Sequence, residues 1–135
     1  MSESPLPFLT LDFLYTPSSD VARDRTYWVD VLGARSVFAV EGMGARVAAV
    51  ALTEEPPLVL LTDHVEGETP ILVYRVASFD AALAALTARG WEPEGSFEIP
   101  HGPCCSFTTP GGHRIAVYEL TRPEAAGHFD GRFDF

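Results

Sequence analysis

The stretch that decides the fold is TTPGGHRIAVYEL, residues 108–120, which has the pattern of a tight turn followed by a β-strand. Pro110, Gly111 and Gly112 supply the bend, because proline fixes its own φ angle and glycine accepts a positive one. From His113 onward, apolar side chains alternate with their neighbours at a period of two, which is typical of a strand. A similar strand, PLVLLTDH, occupies 57–64. We therefore expect two copies of one unit.

The order of predicted elements repeats in the same way. A strand, a helix and three short strands are predicted in each half, and Gly33 and Gly90 are positioned to end the two helices. A fixed internal repeat determines the architecture, so the chain is expected to contain two βαβββ units. The predicted ranges are 9–16, 21–32, 36–40, 46–52 and 58–62 in the first half, and 70–76, 79–89, 95–99, 104–108 and 113–119 in the second.

Both predicted helices are amphipathic. The first should begin after the turn at 17–20, and the second should be capped by Ser78. Apolar side chains that recur at helical spacing predict the faces turned toward the core. These are Val21, Trp28, Val31 and Leu32 in the first helix, and Phe79, Ala82, Leu83 and Leu86 in the second.

Length and composition predict a globular chain. With 135 residues and 47% hydrophobic side chains, we expect a single domain spanning 1–135. Its parts are a module at 9–64, a module at 70–120 and a C-terminal tail at 121–135. A loose arm is expected at 1–8, where Pro5 and Pro7 block regular structure.

The charge balance limits the possible partners. The net charge of −10 argues against nucleic acid and against anionic membrane surfaces, since both require a basic protein face. It is compatible with a small apolar or cationic molecule, although solubility alone also explains it. We find no apolar run long enough to span a bilayer and no secretory signal. The adjacent Cys104 and Cys105 fit reduced thiols, so a cytoplasmic location is predicted.

Two local sequences give the chain a family resemblance. These are YWVDVLG at 27–33, where an aromatic pair precedes Leu-Gly, and the turn into the last strand, PGGHRIAVYE at 110–119. Together with the repeat, they resemble the vicinal oxygen chelate superfamily, which includes glyoxalase I, extradiol dioxygenases, and fosfomycin- and bleomycin-resistance proteins. The resemblance implies an α+β fold of two βαβββ modules whose mixed, curled sheets enclose a cavity. It also implies a homodimer.

Metal-dependent members of this superfamily carry ligands at four equivalent strand positions. The matching residues here are Phe13, Leu60, Ile71 and Ala116, which are all apolar. A shift of one residue gives a second set that also fails to make a metal site, and in it Asp12 is a single carboxylate without partners. That set is Asp12, Leu61, Pro70 and Ile115. The sequence therefore predicts no metal, no cofactor and no catalytic residue.

The histidines and cysteines offer weaker candidates. His101 lies three residues before Cys104, which suggests either a nucleophile and base or part of a zinc site. A Pro/Gly-rich loop explains the same residues without any chemistry. His113 occupies a surface turn, His64 follows the fourth predicted strand, and Glu119 is expected on the opposite face of the last strand from the family's ligand position.

Strand alternation predicts an apolar cavity floor with a few polar groups, which is the usual composition of a small-molecule pocket. The alternative is that the same side chains pack together and fill the cavity. The bleomycin-resistance branch implies two further positions, an aromatic residue on the second strand and a loop residue that stacks on the ligand, and these match Phe38 and His101. The candidate ligand-binding residues are Phe13, Tyr15, Phe38, Leu60, Thr62, Ile71, Val73, Arg75, His101, Arg114, Ala116 and Tyr118.

Three functions remain open at this stage. The resemblance favours metal-independent binding or sequestration of a small molecule, in the manner of antibiotic-resistance proteins. The first alternative is a metal-dependent lyase or dioxygenase whose ligands have been misaligned. The second is an interaction module without a ligand, in which the phenylalanine-rich tail docks on this chain or on a partner.

Overall fold

A computed structural model describes residues 8–42, 44–65 and 67–135, so all of the predicted arm except Phe8 lies outside the described residues. In this part of the chain, eight strands and three helices follow one another. They are β1 (Phe8–Pro17), α1 (Val21–Asp30), β2 (Arg35–Gly42), β3 (Ala45–Ala51), β4 (Leu58–Thr62), β5 (Ile71–Val76), α2 (Phe79–Ala88), β6 (Ser96–Ile99), β7 (Gly102–Thr108), β8 (Arg114–Glu119) and α3 (Ala125–Phe129).

The strands form one mixed sheet in the order β2-β3-β4-β1-β5-β8-β7-β6. Each half has the predicted βαβββ pattern, in which the first strand runs parallel to the last. The α+β fold of two modules is therefore confirmed. The two halves are not separate sheets, because β1 and β5 pair antiparallel and join them. The sheet does not close, and β2 and β6 form its edges.

Both long helices cover the same face of the sheet, which we call the outer face. Val21 of α1 packs with alanine, valine and leucine side chains of β2, β3 and β4. Phe79 and Ala82 of α2 pack with Cys105 and Val117 of β7 and β8. Because strand side chains alternate, the residues between these positions point to the opposite, inner face. Among the described residues, no helix is long and apolar enough to cross a membrane.

The helix starts agree with the sequence. The side chain of Asp20 accepts a hydrogen bond from the Arg23 amide at 3.1 Å, and Ser78 Oγ accepts one from the Ala81 amide at 3.2 Å. Glu119 also caps α2, since its Oε1 accepts from the Phe79 amide at 2.7 Å. This contact confirms that Glu119 points to the outer face.

The predicted end of the first helix was wrong. Val31 and Leu32 are 63% and 46% exposed, although the helical spacing placed them on the buried face. The helix ends at Asp30, and the chain turns at Gly33, which has a φ angle of +78°, to enter β2. Side chains beyond that end no longer follow the helical period, so the apolar spacing carried no information there.

The C-terminal tail docks on this chain, and we call residues 121–135 the strap. It leaves β8 beside the β6–β7 turn, where the amides of Thr121 and Arg122 both donate to the His101 carbonyl at 3.0 Å. It then reaches the far edge of the sheet, where Ala39 donates to the Arg132 carbonyl at 2.9 Å and the Asp134 amide donates to the Ala39 carbonyl at 2.6 Å. The strap therefore connects the second module to the exposed edge of the first.

Aromatic side chains hold the strap at that edge. Phe129 lies against Phe38 of β2, with 5.6 Å between the ring centroids. Phe135 packs against the core beneath α1, and its carbonyl accepts a hydrogen bond from Arg25 Nη1 at 2.6 Å. The guanidinium of Arg46 lies 4.8 Å from the centroid of the Phe135 ring. The strap thus buries apolar surface that would otherwise be exposed at the edge strand.

The adjacent cysteines point in opposite directions. Cys104 belongs to a cluster on the inner face, whereas Cys105 belongs to the core beneath α2. Both thiols are free and buried. This arrangement follows from the alternation of side chains along β7.

Candidate functional site

The inner face carries one apolar cluster at the junction of the two modules. Strand register brings its members together, because Phe13 lies opposite Val73, and Val73 in turn lies opposite Ala116. Val73, Ala116 and Tyr118 are buried, at 5%, 4% and 2% exposure. Six of the predicted ligand-binding residues belong to this cluster: Phe13, Tyr15, Ile71, Val73, Ala116 and Tyr118.

Leu60 and Thr62 extend the same face across β4. Leu60 lies opposite Tyr15 in the parallel β1–β4 ladder and is 6% exposed. Thr62 is completely buried, and its Oγ1 lies 2.5 Å from His64 Nδ1. The His64 ring in turn lies edge-on to Tyr15, with 5.6 Å between centroids. The Thr62 hydroxyl therefore already has a partner within the protein.

The four positions that match the metal ligands of the superfamily lie on the inner face. Tyr15 of β1 has Leu60 of β4 as its neighbour on one side and Ile71 of β5 on the other. Phe13 pairs with Val73 of β5, and Val73 pairs in turn with Ala116 of β8. Their side chains are hydrocarbon and have no lone pair to offer a metal ion. Within the described part of the chain, no group of three His, Cys, Asp or Glu residues is placed to hold one. The residues present at these positions do not fit the metal that the fold family implies.

His101 lies over this cluster. Its ring centroid is 5.5 Å from that of Phe13 and 6.1 Å from that of Tyr118. The next residue must be glycine: Gly102 has a φ angle of +155°, and a Cβ there would lie 2.0 Å from the Glu119 carbonyl oxygen. Burial lowers the pKa of His101, and nearby carboxylates partly oppose that shift. The contacts of His101 with the inner face are thus made by its ring, against Phe13 and Tyr118.

Asp12 is the site residue that the sequence reasoning missed. The β1–β5 register shifts between Leu11 and Phe13, which marks a bulge at Asp12. Its carboxylate Oδ2 accepts a hydrogen bond from the Tyr118 hydroxyl at 2.5 Å and lies 3.5 Å from Arg75 Nε. The sequence analysis considered Asp12 only as a metal ligand without partner ligands, whereas its partners here are a tyrosine and an arginine. The available signal was a single acidic residue within an apolar strand.

Burial also changes the proton affinity of the inner-face side chains. The pKa of Tyr118 is raised above its ordinary value, first by burial and then by its hydrogen bond to Asp12. Burial raises the pKa of Cys104 to about 12, and it raises the pKa of Tyr15 as well. These groups are consequently neutral at physiological pH. Cys104 is not a candidate nucleophile, since the thiolate is the reactive form.

Two predicted ligand-binding residues are not members of this cluster. Phe38 is on β2, where Phe129 of the strap covers it. Arg114 begins β8 opposite Ile71, and its Nη1 donates to the Thr69 carbonyl at 3.0 Å. Arg114 and Ile71 line a groove of about 380 Å³ whose other walls come from β6, β7 and the residues just before β6. The structure therefore does not bring all twelve predicted residues into one pocket.

The inner face thus combines an apolar floor with one convergent polar group, formed by Asp12, Arg75 and Tyr118. Small-molecule sites commonly have this composition, because apolar surface supplies affinity and a few polar groups fix the orientation. His101 lies over this face, and Phe129 of the strap lies against Phe38 at its β2 edge.

Comparison with known proteins identifies the architecture. No family model and no curated protein matches the chain. Among solved structures, a methylmalonyl-CoA epimerase from Mycobacterium tuberculosis superposes with a TM-score of 0.72 at 19% identity, over 93% of this chain and 97% of that one. The protein has the vicinal oxygen chelate fold.

Other structures with the vicinal oxygen chelate fold differ widely in sequence from this chain. A hypothetical protein from Bacillus halodurans superposes with a TM-score of 0.71 at 11% identity, covering 84% of this chain and 95% of that one. An antibiotic-binding protein from a Streptomyces species covers 86% and 99% of the two chains at 22% identity, but its TM-score is 0.42. At these identities the likeness establishes the fold, and the function has to be argued from the site.

Proposed function

We propose that the protein binds or sequesters a small molecule on the inner face of its sheet without a metal ion. One observation carries the proposal: the four positions that hold metal ligands elsewhere in the superfamily have only hydrocarbon side chains here, and they lie on one face. Such a face suits the apolar body of a ligand. The proposed ligand is a planar apolar or cationic molecule, a class that includes antibiotics.

The position of His101 supports binding of an aromatic ligand. Its ring makes a tilted contact with Phe13 and an edge-on contact with Tyr118, and an aromatic ligand in its place would meet the same two rings. We propose that the ligand enters beside the β6–β7 turn, where the strap begins. The proposed assembly is a homodimer and the proposed location is the cytoplasm.

Thermal stability provides the test. A ligand that binds only the folded state raises the melting temperature, and a concentration of a hundred times Kd contributes about 2.7 kcal/mol. Untagged protein, analysed for metal content by mass spectrometry, should be heated with Zn, Ni, Fe or Mn and then with a panel of planar apolar and cationic compounds. We expect substoichiometric metal, no shift with the metals and a shift with members of the panel.

A matched pair of variants locates the site. Phe13→Ala removes a ring from the inner face, whereas Tyr27→Ala removes a ring that is 54% exposed on α1, the helix on the outer face. Each variant is compared with its own ligand-free melting temperature, so a general loss of stability does not affect the comparison. Phe13→Ala should lose the ligand-induced shift, and Tyr27→Ala should keep it. One equivalent of tightly bound metal per chain would instead support the lyase or dioxygenase alternative.

A further inference from the structure

Two members of the polar group on the inner face, Asp12 and Arg75, differ in how many hydrogen-bond partners they have. Asp12 is 11% exposed in its side chain, and its Oδ2 is already engaged by the Tyr118 hydroxyl and the Arg75 guanidinium. Arg75 has the opposite character. Its Nε is buried without a hydrogen bond to any described residue, and the side chain as a whole is 37% exposed.

A guanidinium has five N–H donors in a fixed planar fork and no acceptor. Among the described residues, Arg75 makes one ion pair, with Asp12, and no hydrogen bond. Asp12 therefore neutralises the positive charge of Arg75 and lies beside its Nε. The N–H groups of the two outer nitrogens remain available to a ligand. An oxygen acceptor is the group that would complete this arrangement.

Other arginines of the chain are used differently. Arg122 and Arg132 donate to the carboxylates of Glu98 and Asp134 at 2.6 Å and 2.8 Å. Arg25 is bound to the Phe135 carbonyl at the end of the strap. Arg75 lies beside the apolar cluster, its outer nitrogens donate to no described residue, and its strand position opposite Tyr118 directs it to the inner face.

We propose that Arg75 binds an oxygen acceptor of the ligand, a carboxylate or a carbonyl, while the apolar body of the ligand lies against Phe13 and His101. The proposal rests on the proposed function, and it replaces the broad class of apolar or cationic ligands with apolar molecules that carry an oxygen acceptor. It favours an acceptor over a cation at this position, because Asp12, the acidic side chain of the group, is already neutralised by Arg75. A planar carboxylate matches the fork geometry of a guanidinium, which permits two parallel hydrogen bonds.

Three probes with one ring system provide the test: naphthoate, methyl naphthyl ketone and naphthylmethylammonium. Calorimetric titration of the unmodified protein should show tighter binding of naphthoate and the ketone than of the ammonium compound. Arg75→Gln should weaken naphthoate binding about tenfold or more, since hydrogen bonds to charged groups are lost. Arg89→Gln, which removes an exposed arginine at the end of α2, should leave all three affinities unchanged.

Arg75→Lys controls for a folding defect in Arg75→Gln, because lysine keeps the positive charge beside Asp12. It lacks the planar guanidinium. It should bind naphthoate more weakly than the unmodified protein. If the ammonium compound binds tightest and Arg75→Gln has no effect, this proposal is wrong and the proposed function stands. If none of the three probes binds and none of the wider panel shifts the melting temperature, both are wrong. If members of the panel bind but naphthoate and the ketone do not, the acceptor proposal alone fails.

Discussion

Cys104 illustrates how burial on the inner face controls a single side chain. In the unfolded chain its thiol ionises near pH 9, whereas burial raises the folded-state pKa to about 12. Between these values the unfolded state has lost a proton that the folded state retains. The contribution of Cys104 to stability is therefore complete below about pH 9 and falls as the pH rises toward 12.

We expect the free energy of unfolding to decline in this alkaline window, with Cys104 contributing up to about 1.4 kcal/mol per pH unit. Cys104→Ala should make the decline shallower. Val73→Ala, which truncates a neighbour in the same cluster without removing a titrating group, should lower stability equally at every pH. Urea unfolding from pH 8 to pH 11 measures this. Parallel slopes for the unmodified protein and Cys104→Ala would contradict the assignment.

The residue scale is also where prediction from sequence was least complete. Alternation along the strands identified Phe13, Tyr15, Val73 and Ala116 as one face, because each strand keeps a period of two. It could not identify Asp12, because a bulge breaks that period locally. Counting by two assigns Asp12 to the outer face, whereas the bulge turns its side chain toward the inner face. Bulges depend on the pairing partner, which a single sequence does not display.

Two phenylalanines of the strap, Phe133 and Phe135, differ in burial. Phe135 packs against the α1 core and is held by Arg25, whereas Phe133 is 53% exposed. Phe135→Ala should cost about 2 kcal/mol of stability, because buried apolar surface is lost. Phe133→Ala should change stability by less than about 0.5 kcal/mol. Urea denaturation of both variants measures the difference, and equal losses would show that the strap is not anchored at its end.

The elements themselves were largely predictable. β4 was predicted at its observed limits, 58–62, because prolines and a polar linker bound a short apolar run. α3 was not predicted, since its sequence, AAGHF, has neither length nor a clear apolar period. It forms where the strap crosses toward Phe38, so tertiary contacts and not local propensity determine it.

At the scale of the whole molecule, the repeat was enough to predict two βαβββ modules. It was not enough to predict their joining, because the antiparallel pairing of β1 with β5 links strands that are distant in sequence. That ladder, together with the strap, ties the modules into one sheet. We therefore expect the modules to unfold together.

The two tryptophans of the sequence test this cooperativity, since Trp28 of α1 packs against the core of the first module and Trp91, which follows α2, packs against the core of the second. Trp28→Phe leaves a fluorescent probe in the second module, and Trp91→Phe leaves one in the first. In each variant, the fluorescence transition in urea should coincide with loss of the circular dichroism signal. A fluorescence change that precedes or follows global unfolding in either variant would mean that one module opens independently.

The opposite orientation of Cys104 and Cys105 gives the molecule two internal reporters one residue apart. A thiol reagent reaches Cys104 only when the inner face opens, and it reaches Cys105 only when α2 separates from the sheet. The two labelling rates therefore report separately on transient opening above and below the same strand. A ligand that occupies the inner face would slow the first rate and leave the second unchanged, so protection of one thiol relative to its neighbour would show on which side of the sheet an unknown compound binds.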